Sequence, residues 1–362
     1  MAIVLETDFA SPAIPHSCCS LGISDAALSA CSTVGGWFGG DDEPSTSNIP
    51  QDGRISILAF EQQLTPDPAL ASRTIAPPPA VQVGEWSQPG GTADNSPPHS
   101  SGAAVLERAW RANLGTGSNN RVQLAAPPVI ADGRLYFLDA SHRVTAIGAR
   151  DGDRIWSTQV RGEGRDRNAR GGGVASSGGR VFVTTGYGAL VALDGASGDE
   201  VWRVSAGAPF HSAPTVVGGR VYAITNDSEL MAFDAGTGDV QWTFQAIAET
   251  ARILSAPSVA VDGDTVVAPF ASGELVAFLA PNGRRLWSDS LSRAGSLTSL
   301  SAINDIAGRP VIDNGVAFAA SHSGIIAAVD VRSGQRIWSR AFASTQTPWL
   351  AGDVLYAVSV DG

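Results

Sequence analysis

An alanine, a glycine six residues later and a tryptophan four residues after that recur five times in this chain without slippage. The copies are Ala146–Gly152–Trp156, Ala192–Gly198–Trp202, Ala232–Gly238–Trp242, Ala277–Gly283–Trp287 and Ala328–Gly334–Trp338. A spacing held this strictly marks a structural repeat. The third copy shows the whole unit. It opens on Ala213-Pro214, runs through Arg220-Val221-Tyr222, continues through Leu230-Met231-Ala232-Phe233-Asp234, and closes on Gly238 and Trp242.

The short apolar runs, such as Val-Tyr-Ala-Ile and Leu-Val-Ala-Leu, predict strands covered on both faces, as when sheets pack between sheets. Asp-x-x-(Ser/Thr)-Gly predicts a hairpin turn, with Asp bonding the turn backbone and Gly taking positive φ. The tryptophan then falls on the returning strand, between neighbouring sheets. Its burial contributes roughly 4–6 kcal/mol gross as an area-based upper bound. The small alanine leaves room for close packing. Tryptophans 40 to 51 residues apart suit a four-stranded blade, and no 3.6-residue period competes. The fold class predicted is all-β, a β-propeller.

With 362 residues and 43% apolar side chains, a large core is available. The net charge is −11, no lysine occurs, and the Arg-rich stretch from Arg161 to Arg170 reads as a solvated loop between blades, so nothing points to nucleic acid. No run of about 18 apolar residues spans a membrane. Cys18, Cys19 and Cys31 all precede the repeats, which leaves the repeat region without a disulfide framework or thiolate metal site. The five histidines show no metal-ligand spacing, and His322 falls in a mid-blade turn. Gly186-Tyr187-Gly188 lacks the third glycine of a phosphate loop.

Leu28-Ser29-Ala30-Cys31 reads as a lipobox, with Cys31 the lipidated residue. Residues 1–31 are then a leader, though an atypical one: residues 1–27 hold no Lys or Arg and no long apolar run. A chance match and a misplaced upstream start both stay open as alternatives. Residues 32–85 read as an extended tether, rich at first in Gly, Ser, Asp and Pro, and residues 86–362 as the propeller.

The repeats resemble the PQQ-type propeller repeat. Together with the lipobox at Cys31, the linker Glu61-Gln62-Gln63-Leu64 and the entry segment Trp86-Ser87-Gln88-Pro89-Gly90-Gly91 with His99, they resemble the BamB family of outer-membrane β-barrel assembly lipoproteins. That resemblance implies eight blades and a lipid anchor on the periplasmic face of the outer membrane. It also implies no catalysis or cofactor. The implied partners are the barrel insertase BamA, other barrel-assembly subunits and nascent outer-membrane proteins. Against eight blades, five repeats are complete and a sixth begins at Thr347-Pro348-Trp349, so the expected ring is incomplete, at about six blades, and truncated in its sixth repeat. Glu107-Arg108-Ala109-Trp110-Arg111 resembles the outer strand that closes such a ring.

Repeat proteins vary their connectors on the binding face. The gaps from tryptophan to the next strand-opening proline are 12, 15, 23 and 10 residues. Two adjacent connectors, 243–256 and 288–309, are therefore the enlarged ones. By the resemblance, the insertase-contacting Arg of the family falls on Arg252. Its acidic pair falls on Asp305 and Ala307, with the second acid lost. Its aliphatic neighbours fall on Glu249 and Ala251, another departure. Arg252 and Asp305 are the partner residues expected, against the alternative of ordinary solvated loop charges. A PQQ-dependent dehydrogenase needs a vicinal disulfide beneath its quinone, and Cys18-Cys19 lies far from any blade. A generic extracytoplasmic sensor or binding propeller is the non-enzymatic alternative.

Overall fold

A computed structural model describes residues 76–103, 105, 107–119, 124, 126–160, 170–249, 252–253, 255–292 and 303–360. The expectations for Cys31, the vicinal cysteines, the tether up to residue 75 and residues 161–169 lie outside the described residues.

Five four-stranded antiparallel sheets follow one another along the chain. Blade 1 is β1 (Val129–Ala131), β2 (Arg134–Leu138), β3 (Arg143–Gly148) and β4 (Arg154–Gln159); blade 2 is β5 (Gly172–Ser177), β6 (Arg180–Thr185), β7 (Ala189–Asp194) and β8 (Glu200–Ser205). Blade 3 is β9 (Thr215–Val217), β10 (Arg220–Ile224), β11 (Glu229–Asp234) and β12 (Val240–Gln245); blade 4 is β13 (Ala260–Asp262), β14 (Thr265–Pro269), β15 (Glu274–Leu279) and β16 (Arg285–Ser290). Blade 5 is β17 (Val311–Asp313), β18 (Val316–Ala320), β19 (Ile325–Asp330) and β20 (Arg336–Ala341), and a two-stranded sheet, β21 (Trp349–Ala351) with β22 (Val354–Tyr356), follows. Each sheet is a simple meander, and the first strands β1, β5, β9, β13 and β17 lie side by side in that order. This is the predicted propeller arrangement.

Strand periodicity splits each blade's residues between two neighbours. In β7, Val191 and Leu193 pack with Tyr136, Ala146 and Trp156 of blade 1, while Leu190 and Ala192 pack with Val221 and Phe233 of blade 3 and with Phe210 of the connector before it. The core is thus distributed over four seams, between successive blades from 1 to 5.

The repeat residues are the fastener of each seam. Trp156, Trp202, Trp242 and Trp287 each donate Nε1–H to a turn carbonyl of the next blade: Gly195 O at 3.0 Å, Ala235 O at 3.2 Å, Ala280 O at 2.9 Å and Val331 O at 2.7 Å. The repeat glycine of that next blade lies against the ring. At Gly283, φ is +68° and an added Cβ would stand 2.5 Å from Cδ2 of Trp242, so only glycine meets both demands. Gly198, Gly238 and Gly334 meet Trp156, Trp202 and Trp287 in the same way. The hairpin turns form as expected: Asp194 Oδ1 accepts from Ala196 N and Ser197 N, both at 2.9 Å.

The repeat alanines are buried, and their cross-strand neighbours are aromatic. Ala146, Ala192, Ala232, Ala277 and Ala328 sit opposite the tryptophan of their own blade, just before a register shift. On the other side stands Tyr136, Phe182, Tyr222 or Phe318 in blades 1, 2, 3 and 5. The two rings meet over the methyl group with centroids 5.9 to 6.2 Å apart. A larger side chain would separate them.

Trp110 joins the series without a strand. Residues 107–110 belong to no strand among the described residues, yet Trp110 Nε1–H reaches Ala149 O at 3.3 Å and its ring covers Gly152. The segment meets blade 1 through Trp110 and forms no strand among the described residues, unlike the closing strand expected.

The entry segment crosses the first strand of every blade. Trp86 pairs with Ile130 of β1 through both backbone hydrogen bonds, Ser87 O accepts from Ser176 of β5, Ala93 O from Val261 of β13 and Asp94 O from Ile312 of β17. For β9 a side chain substitutes: the Gln88 amide accepts from Val216 N at 3.1 Å and donates to Val216 O at 3.0 Å. Asn95 Nδ2 donates to Val259 O and Pro310 O. These buried amides give partners to backbone groups at the first strands, where Val259 O also accepts from Thr215 Oγ1 at 2.9 Å.

Candidate partner-binding site

Described residues of the connectors after β12 and after β16 meet the mid-blade turns of blades 3, 4 and 5. Arg252, in the first, donates from Nη2 to Asn226 O in the β10–β11 turn and to Glu249 O at 3.4 Å. Asp305, in the second, is 1% exposed. Its Oδ2 accepts from Ile253 N at 2.8 Å, so the carboxylate joins the two connectors. Its own backbone is fastened to blade 5 by His322 N, which donates to Asp305 O at 3.0 Å, while Ile306 N reaches Phe270 O at 3.4 Å.

Burial pushes the Asp305 carboxyl up from its ordinary range, opposed by the Ile253 amide, Arg252 and His322. Beneath Arg252, His211 is pushed down to about 4, first by burial and then by the guanidinium. At neutral pH the His211 imidazole is neutral.

The structure therefore brings both expected partner residues to one place and gives them different postures. Arg252 is half-buried at the connector surface and Asp305 faces inward. Ala307 is buried, Glu249 is half-buried, and Ala251 lies outside the described residues. Sequence reasoning passed over Ile247, which is 61% exposed in the first connector; its signal is an aliphatic side chain beyond the end of β12, where no strand alternation accounts for it. His322 occupies the mid-blade turn foreseen for it, and what it adds is the amide that holds Asp305. No helix of the described residues is long and apolar enough to cross a membrane, and among them no group of three His, Cys, Asp or Glu could hold a metal.

Seams fastened by tryptophan and glycine, with two adjacent enlarged connectors stitched over one face, define a PQQ-type repeat propeller. The family model described as outer membrane protein assembly factor BamB matches residues 102–171 and 140–362, and the chain belongs to that family. It is 36% identical over 256 residues to outer membrane protein assembly factor BamB of Escherichia coli K12, covering 69% of this chain and 64% of the relative. The Xanthomonas campestris protein of the same name is 31% identical over 340 residues, covering 91% and 71%. The chain thus spans about 64% of the length of the E. coli protein. Among solved structures, BamB from Moraxella catarrhalis superposes with TM-score 0.57 at 22% identity, covering 65% of this chain and 70% of that one. Quinohemoprotein alcohol dehydrogenase from Comamonas testosteroni superposes with TM-score 0.58 at 19% identity, covering 73% and 50%. At these identities the two structures attest the fold alone.

Proposed function

We propose that this chain is a non-enzymatic scaffold subunit of outer-membrane β-barrel assembly, held at the periplasmic face of the outer membrane by a lipid on Cys31. It binds the insertase BamA through the two enlarged connectors and aids the insertion of nascent outer-membrane proteins. The observation that carries this reading is the joining of the connectors through Asp305 and Ile253, with Arg252 placed beside them. Family membership supports the assembly role.

The test is capture of BamA by the purified chain and by an Arg252→Glu variant. Reversing a charge within a binding site leaves a repelling, incompletely paired group, and the expected loss is about tenfold or more in affinity. Undiminished capture by the variant removes Arg252 from the contact. Failure of the unaltered chain to capture BamA at all favours a sensor or general binding propeller instead.

A further inference from the structure

We infer that Asp305 is a positioning residue: it acts on partner binding by holding the Arg252 connector through the Ile253 amide, without itself touching the partner. This rests on the reading of Arg252 as a contact residue and assigns Asp305 a separate task.

A carboxylate that met a partner directly would present its oxygens to solvent before binding. Asp305 is 1% exposed and spends Oδ2 on Ile253 N. Ile253 follows Arg252 directly, so the bond fixes the backbone at the base of the arginine. The arginine is fixed at its other end by the carbonyls of Asn226 and Glu249. Asp305 is in turn held by two neighbouring blades, through His322 N onto its own carbonyl and through Ile306 N onto Phe270 O. The anchor is thus set against packed sheets, while the group it anchors lies in a connector with no strand among its described residues after β12. Pinning one end of such a loop reduces the ordering that binding must supply. An acceptor oxygen at this position is what the bond requires; a negative charge is not.

The test uses the full chain with Asp305→Ala and Asp305→Asn, read in two ways. Hydrogen exchange at the Ile253 amide is followed in the free protein, and affinity for BamA is measured separately. Near-ultraviolet circular dichroism confirms that each variant keeps its blades. Asp305→Ala leaves a buried donor without its acceptor, so exchange at Ile253 is expected to rise by about tenfold or more and affinity to fall by about tenfold. Asp305→Asn supplies an amide oxygen and is expected to restore both to within about threefold of the unaltered chain. Unchanged exchange in Asp305→Ala overturns the inference. So does an Asp305→Asn variant that keeps Ile253 protected and still loses BamA, because the charge would then be the contact. If Arg252→Glu binds normally, the reading of Arg252 fails, and the exchange measurement still decides whether Asp305 holds the connector.

Discussion

The seam between blades 3 and 4 and the connectors that leave those same blades are held together by unlike means. In the seam, Trp242 and Gly283 are one instance of a contact repeated along the array, and the surrounding core contains Tyr222, Val266 and Phe278. In the connectors, among the described residues, Asp305 Oδ2 to Ile253 and Arg252 to Asn226 are each made once, whereas His322 N to Asp305 O has a counterpart in Asn226 N to Pro209 O. The repeated contact can stay fixed because its geometry is imposed by the stacking of sheets. The single contacts serve one face of one pair of blades, which frees that face to be shaped for a partner without disturbing the stack.

The largest expected effect breaks the seam. Gly283→Ala puts a Cβ 2.5 Å from Trp242 Cδ2 at a φ of +68°. Gly133→Ala has nearly the same φ, +69°, with nothing within 4 Å of the added atom. The control therefore carries only the backbone cost, about 1–2 kcal/mol. Gly283→Ala should cost roughly 3–4 kcal/mol, since the ring must also shift out of a packed seam. Urea midpoints of the two variants measure the difference. Equal losses would mean that the tryptophan–glycine contact contributes nothing beyond its turn.

That seam was legible in the sequence because it is periodic: five fixed spacings name its tryptophans and glycines before any strand is placed. The alanine's reason was not legible, because the aromatic residue facing it comes from a strand ten residues upstream whose register only the sheet reveals, as in Tyr222 opposite Ala232. Gln88 and Asn95 were hidden for a related reason. Each bonds to backbone more than a hundred residues away, and backbone acceptors leave no mark on a sequence. The connectors were legible in length alone. That Asp305 faces inward while Arg252 remains at the surface goes with the burial of Ile306, in the core between blades 4 and 5, and of Ala307, which no spacing encodes.

A middle-sized effect probes the connector side by pH. The His211 imidazole is held near 4 in the folded chain, against an ordinary value of 6.5, by burial and by Arg252. Its folded value is depressed, so the unfolded chain binds the proton more tightly. The contribution is present above pH 6.5 and is lost as pH falls through 4. A shift of this size corresponds to roughly 3 kcal/mol between those limits. Asp305 works in the opposite sense: its raised carboxyl makes the native state hold its proton more tightly, so that contribution declines as pH rises. Comparing the unaltered chain with His211→Gln isolates the histidine. The variant should lose less stability between neutral pH and pH 4, and parallel curves for the two proteins would remove His211 from the acid response.

The smallest effect asks whether charge adds to a seam as the tryptophan does. Arg336 of β20 spans from blade 5 to blade 4, giving Asp289 two hydrogen bonds, at 2.6 and 3.0 Å, and a third to Ser290 O at 2.8 Å. The geometry is bidentate, yet the side chains remain 32% and 17% exposed. Water therefore solvates both partners in the separated state and screens them in the joined one. A double-mutant cycle of Arg336→Ala and Asp289→Ala should return a coupling below about 1 kcal/mol. The coupling should shrink further at about 1 M salt, where the screening length falls to about 3 Å. A coupling of about 3 kcal/mol that resisted salt would place the ion pair on a level with Trp287 and Gly334 at the same seam. The division between apolar seams and polar, partner-shaped connectors would then have to be redrawn for blades 4 and 5.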